Sequence, residues 1–277
     1  MDFPIIQIDD LHKTYKGASH PSVCGLTLSV RKGDFFGLLG PNGAGKTTTL
    51  SILCGLRTFD KGLITIDGME LEKNLRRIKP LIGVVPQDIA LYPELTVDEN
   101  LRFAGNMHSL PAKKRNKRID YYLELFGLTP HRRKKTGYLS GGMKRQVNLI
   151  AALLHQPEIL ILDEPTAGVD VQSRQIISTN LQRLNREGIT IVYTSHDMHE
   201  SEQLCSYVAL MNKGKIVNEG IPSCLIREAN VDSLEKLFIA KTATETLTGI
   251  QIHLQNANPN RVSNPVRVHN NQEDETV

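Results

Sequence analysis

Apolar positions along this chain fall into two kinds of short run. Residues 26 to 30, LTLSV, alternate apolar and polar, the pattern of an antiparallel strand with one face in solvent. FFGLL (35–39), ILIL (159–162) and ITIVYT (189–194) are continuously apolar, as parallel strands buried on both faces are. An Asp-Gly pair inside LITIDGMEL marks a turn, and VALMNKGKIVNEG reads as a hairpin with Lys-Gly at its tip. Elsewhere the period lengthens to that of a helix. Met143, Val147, Ile150 and Leu154 are spaced to share one buried face. VDENLRFAGNMH and IDYYLELFGL belong to a mostly helical middle, about 90 to 138. Its place between two strand-rich halves predicts a helical subdomain, about 90–155 with the Met143 helix included, inserted into an α/β core. After about Ala240 the chain turns polar, and 241–277 is expected to be an extension ending in a disordered tail.

Composition narrows the function classes. With 33 basic and 30 acidic residues, the net charge of +3 does not call for nucleic acid as a partner. Aromatics make up 5% and Trp is absent, which argues against base-stacking platforms. Cys24, Cys54, Cys205 and Cys224 lie far apart, with no CxxC spacing; they argue against a zinc site and suit a reducing compartment. No apolar run approaches the roughly 18 residues of a membrane span, and MDFPIIQIDD lacks the marks of a signal peptide. The expectation is a soluble, cytoplasmic protein. The basic runs KKRNKR (113–118) and HRRKK (131–135) are expected to be solvated faces, with contact to an anionic surface or an acidic partner as the functional alternative.

Two segments carry chemistry. GPNGAGKT, from Gly40 to Thr47, follows the apolar FFGLL and precedes the helical TTTLSILCGL, the context in which a phosphate-binding loop works. Its glycines let backbone N–H groups close on phosphate oxygens, Lys46 reaches the β- and γ-phosphates, and Thr47 offers a hydroxyl to Mg²⁺. In ILILDEPT, Asp163 ends a buried strand where it would hold that ion, and Glu164 is placed to polarise an attacking water. The fold class expected is α/β: a P-loop NTPase core with a mixed, mainly parallel sheet, an antiparallel β subdomain and an inserted α-helical subdomain.

YLSGGMKRQVNLI (138–150) is a second anion cradle, a Ser and two glycines at a helix start, with no lysine inside it. With this stretch the sequence resembles the ATP-binding cassette (ABC) ATPases, over about 4–240. LSGGM looks like the family signature, Gln87 in VVPQD matches the Q-loop, Asp170 in AGVD occupies the D-loop, and His196 in VYTSHD falls at the switch histidine. Tyr15 in KTYKG lies where the family stacks an aromatic on adenine, with His12 and Phe3 the next candidates.

The resemblance implies ATP and Mg²⁺ as cofactors. Tyr15, Gly40, Pro41, Asn42, Gly43, Ala44, Gly45, Lys46, Thr47 and Thr48 would bind ATP. Thr47, Gln87 and Asp163 would hold the metal, and Glu164 and His196 would be catalytic. Two cassettes pair head to tail in this family, so Ser140, Gly141 and Gly142 would cap the ATP held by the other subunit. The partners implied are a second copy of the chain and an integral membrane permease, with no nucleic acid. The cassette would sit on the inner face of the cell membrane, its permease contact near Glu94 in LYPELT. Met143 stands where the commonest signature has Gln, and AGVD where SALD is more frequent. Both variants look like the exporter branch that serves drug, antibiotic and polysaccharide efflux. The alternative is a non-transport ABC ATPase acting on nucleic acid or ribosomes; such proteins usually carry coiled coils, zinc hooks or two cassettes, and this chain shows none of these.

Overall fold

The structure is a computed structural model that describes residues 4–243. Phe3 and all but the first three residues of the 241–277 extension lie outside the described residues. Two sheets form the frame. The smaller is antiparallel: β1 (Ile6–Lys13), β2 (Val23–Val30), β4 (Lys61–Ile66) and β5 (Met69–Glu70) lie in the order β2-β1-β4-β5. The larger has the order β10-β9-β3-β8-β7-β6. In it β3 (Phe35–Leu39), β6 (Ile82–Val85), β7 (Ile159–Asp163), β8 (Thr190–Ser195) and β9 (Tyr207–Asn212) run parallel, and β10 (Lys215–Gly220) returns antiparallel along the edge.

The continuously apolar runs are explained by cover on both faces of this sheet. Side chains alternate across a strand. Phe35, Leu160, Leu162, Ile191 and Tyr193 therefore enter one core and Phe36, Leu38, Ile159, Ile161 and Val192 the other. The first core is closed by α3 (Val97–Met107), α4 (Ala112–Leu125), α5 (Gly141–Leu153) and α6 (Val171–Arg186), through residues such as Leu101, Leu123, Val147 and Leu181. The second is closed by α1 (Lys46–Leu53), by α2 (Leu71–Ile78) and by the apolar face of the antiparallel sheet, with Leu50, Leu71, Ile8 and Leu26 among its members. In the chain, α3, α4 and α5 all lie between β6 and β7. Val147, Ile150 and Leu154 are fully buried, and Met143 packs against them from the rim.

Both turn signals correspond to hairpins. Asp67 and Gly68 have φ of 50° and 70°, Lys213 and Gly214 of 46° and 80°, the paired left-handed residues that match strand twist in a two-residue turn. Strand β1 departs from simple alternation. Asp10 has φ of 48° and the register of both neighbouring strands shifts there, so Ile8 and Leu11 face inward with two residues between them. Contrary to the expectation of a solvated face along 113–118, Arg118 is buried, and its guanidinium donates to the Leu154 carbonyl at 2.6 Å and to the Gln156 side chain. Lys113, Lys114 and Lys117 of that run are exposed. All four cysteines are free thiols. No helix among the described residues is long and apolar enough to cross a membrane.

Candidate active site

Strand β3 ends at Leu39, and residues 40–45 curl back before α1 begins at Lys46. Gly40 and Gly45 make that curl possible: a Cβ would lie 2.1 Å from the Met211 carbonyl at Gly40 and 2.3 Å from the Ser22 carbonyl at Gly45, where φ is 108°. The loop walls a cavity of about 330 Å³, lined by residues 42–48 with Ser22, Gln87 and Glu164. The first N–H groups of α1 have no carbonyl partner of their own within the helix, and the positive end of its dipole lies there too. Lys46 is buried to its tip. Its Nζ donates to the carbonyls of Gly40 at 2.7 Å and Pro41 at 3.2 Å, and lies 3.5 Å from Glu164 Oε1.

Acidic groups arrive from the next strands. Asp163 closes β7, and its Oδ1 accepts from Thr47 Oγ1 at 3.3 Å and Thr194 Oγ1 at 2.6 Å. Glu164 follows with φ of 47° and is 8% exposed. Its Oε2 lies 3.2 Å from Nδ1 of His196, which stands exposed just past β8. The donor set is a hydroxyl, a carboxylate and, from the wall, the amide of Gln87. Those are hard oxygen ligands, and Mg²⁺ is typically held by one or two carboxylates completed by substrate phosphates and water. No group of three or more His, Cys, Asp or Glu among the described residues could hold a metal alone, so the fit is to a metal that arrives with a phosphate ligand. An anion cradle, a lysine, a metal-type carboxylate and a second carboxylate beside a histidine are the parts of phosphoanhydride hydrolysis.

Ser140, Gly141 and Gly142 are not brought to this cavity. Ser140 caps α5, its Oγ accepting the Met143 N–H at 3.2 Å. With Asp170 it lines a different cavity of about 360 Å³ that shares no lining residue with the first. Gly141 is open on the side where its Cβ would point, whereas Gly142 presses on Ser173. Asp170 caps α6 through the Ser173 N–H at 2.9 Å, and that backbone bond, aided by the Ser173 side chain, holds its carboxyl below the usual range. Tyr15 is brought to the loop: its hydroxyl is 3.4 Å from Thr48 Oγ1, and Lys13 and Arg57 sit over its ring at 5.8 and 6.0 Å. His12 instead pairs with Asp10 at 2.8 Å. Glu94 is exposed and paired with Lys135 at 3.3 Å.

Three residues at the site or packed behind it give little signal in the sequence. Arg145 of α5 donates to the carbonyls of Pro86 at 2.8 Å and Gln87 at 2.6 Å, tying the helix that starts at Ser140 to the Gln87 loop. Glu200, on α7 (Met198–Leu204), accepts from Thr166 at 2.7 Å, Tyr193 at 2.8 Å and Ser178 at 3.1 Å. Thr194 holds Asp163. The only sequence trace of Tyr193 and Thr194 is a pair of polar groups inside an apolar strand.

Against known proteins, the family model described as ABC transporter matches residues 23–167, and one described as an AAA domain matches 137–202. The chain is 43% identical over 236 residues to the linearmycin resistance ATP-binding protein LnrL of Bacillus subtilis, covering 85% of this chain and 75% of that one. It is 40% identical over 233 residues to the Nod factor export ATP-binding protein I of Ralstonia nicotianae, covering 84% and 72%. Among solved structures, the ATP-binding subunit of an ABC transporter superposes with a TM-score of 0.77 at 26% identity, over 86% of this chain and 99% of that one. A dimeric ATP-binding cassette in a post-hydrolysis state with ADP and Pi superposes with a TM-score of 0.71 at 27% identity, over 78% and 98%.

Proposed function

The chain belongs to the ABC transporter family and is an ATP-binding, ATP-hydrolysing cassette, and from that premise we propose that two copies close head to tail on ATP and power export through a separate membrane permease. The observation that carries this reading is the separation of the two anion cradles: the loop with Lys46 and the helix start at Ser140 line different cavities of one chain. A second copy, turned to face the first, supplies Ser140 and the N–H groups of Gly141 and Gly142 to each nucleotide. Asp170, beside Ser140, lies on the same closing face.

Within each site, Tyr15 stacks on the adenine and Gly40 to Thr48 wrap the phosphates. Thr47, Asp163 and Gln87 would hold Mg²⁺, which would supply charge neutralisation at the phosphates. Lys46 offsets the remaining negative charge, its tip already inside the curl of the loop. Glu164 orients the water and accepts its proton, and His196 keeps that carboxylate in register through its 3.2 Å contact. The ATPase domain spans 4–240, with about 90–155 as the helical part that reaches the permease near Glu94.

Relatives named for linearmycin resistance and for Nod factor export support outward transport. The cassette then works at the cytoplasmic face of the membrane, held there by its permease. The test is purification from a membrane fraction. Recovery with a polytopic membrane protein, and ATP turnover raised by it, is the expected result. Hydrolysis stimulated by nucleic acid and indifferent to any membrane protein would move the chain to the non-transport class.

A further inference from the structure

Strand β8 carries two adjacent side-chain hydroxyls to opposite faces of the sheet. Tyr193 points into the helical core and joins Thr166 and Glu200. Thr194, fully buried, points toward the Asp163 carboxylate, which also meets Thr47. Its Oγ1 donates to Asp163 Oδ1 at 2.6 Å and accepts the Glu164 N–H at 3.1 Å. A hydroxyl has one proton and two lone pairs. The Leu162 carbonyl, at 3.4 Å, is a second acceptor for that proton, and the shorter contact to an ionised carboxylate wins. The hydroxyl is therefore used in both directions, on two consecutive residues with different tasks.

Each use has a consequence. Thr194 and Thr47 both converge on Oδ1 of Asp163, and neither engages Oδ2. The carboxylate is thereby turned with its second oxygen free of both hydroxyls. Glu164 has φ of 47°, a backbone state that a residue with a Cβ adopts only when its surroundings hold it. Here its N–H is held twice, by the Thr194 carbonyl at 3.2 Å and by the Thr194 hydroxyl. That turn is what aims the glutamate side chain at Lys46 and His196.

We propose that Thr194 is a positioning residue for hydrolysis, one hydroxyl that sets the metal-binding carboxylate Asp163 and the water-activating Glu164 at the same time. The proposal rests on the reading of those two residues given above. It assigns to Thr194 no contact with nucleotide or metal.

The test compares Thr194→Val, which keeps the shape and removes the hydroxyl, with Thr194→Ser, which keeps the hydroxyl. Thr194→Ala serves as a second hydroxyl-free variant if valine does not fold. ADP binding is measured by calorimetry with and without Mg²⁺, and ATP turnover is measured in the full transporter. In Thr194→Val the gain in ADP affinity from Mg²⁺ should shrink and kcat should fall about tenfold, with KM changed less than about twofold. Thr194→Ser should stay within about twofold of the parent in all three. Tyr193→Phe removes the neighbouring hydroxyl from the other face; it should lower the melting temperature and leave the Mg²⁺ gain unchanged, which a generally loosened strand would not do. Asp163→Asn separates the role of Thr194 from that of Asp163. If Asp163→Asn abolishes the Mg²⁺ gain while Thr194→Val keeps both gain and kcat, the Thr194 proposal is overturned alone. If Asp163→Asn leaves the gain intact, the assignment of Asp163 is wrong and the proposal falls with it.

Discussion

Gly141→Ala and Gly142→Ala add the same methyl group to neighbouring residues, and the structure separates their effects. Both glycines sit in the first turn of α5, just after the Ser140 cap. A Cβ on Gly142 would lie 2.1 Å from Ser173 Oγ and 2.2 Å from Ser173 Cβ, where ordinary contact begins at 3.4 Å. The shortfall at Cβ is 3.4 − 2.2 = 1.2 Å. Ser173 Cβ cannot rotate away, because it belongs to the first turn of α6, pinned by the Asp170 cap at 2.9 Å. The helices must separate, and overpacking of this kind typically costs about 1–3 kcal/mol. For a chain of this size that lowers the melting temperature by about 2–5 °C. On Gly141 the methyl meets nothing within 4 Å. Alanine at a helical position is favoured over glycine by about 0.5–1 kcal/mol, so this variant should melt at the same temperature or slightly higher. Yet turnover should fall, because in the proposed head-to-tail pair the space that is open in one chain receives the partner's nucleotide. A misplacement near 1 Å at such a contact is worth up to about 10²-fold in rate. Differential scanning calorimetry and phosphate release on the same preparations read both quantities. If Gly141→Ala turns over ATP like the parent, that glycine faces no nucleotide; if Gly142→Ala melts unchanged, the packing of α5 on α6 has been misjudged.

Lys46→Ala should abolish ATP binding or hydrolysis, since among the described residues no other cationic side chain lines this cavity; a filter-binding assay with normal retention of ATP and normal turnover would sink the phosphate-loop assignment. Tyr15→Ala should weaken ATP affinity by about 0.5–1.5 kcal/mol and leave ATP and GTP nearly equal in their loss, because stacking reads a ring and not its edge. His155 and His108 stack with centroids 3.8 Å apart, and burial pushes the His155 imidazole down to about 4. The unfolded chain takes up that proton near pH 6.5 while the folded chain refuses it until about pH 4. Stability is therefore full above about pH 6.5 and declines as the pH falls through that window, by on the order of 1–2 kcal/mol once partial exposure is allowed for. Urea titrations of His155→Phe should show a flatter profile between those limits, and an unchanged slope would contradict the assignment.

How much of this was legible in the sequence depends on how locally each feature is encoded. The apolar runs 35–39 and 159–162 announce buried parallel strands because every residue in them has a covered face. Strand β1 announces nothing of the kind, since the bulge at Asp10 breaks its alternation. Arg118 hides inside a basic run because charge is read along the chain, while burial is decided by the turn of the helix that carries it. The cluster around Lys46 is foreshadowed by two contiguous motifs, Gly40 to Thr47 and Asp163-Glu164. Arg145, Thr194 and Glu200 are not, because each is a single polar residue whose partners come from other elements.

Glu164→Gln asks whether an ATP site is complete only when two chains share it. Glutamine keeps the size and the hydrogen bonding of the side chain and removes the base, a change worth about 10²–10⁴-fold in hydrolysis. ATP should then persist between two copies, each nucleotide gripped by Lys46 of one chain and Ser140 of the other. Size-exclusion chromatography with light scattering should show twice the monomer mass in Mg-ATP and the monomer mass in ADP. Adding Ser140→Arg to the same protein should abolish the dimer. A Glu164→Gln protein that stays monomeric in Mg-ATP with its permease present, or a dimer indifferent to Ser140→Arg, would contradict the shared site.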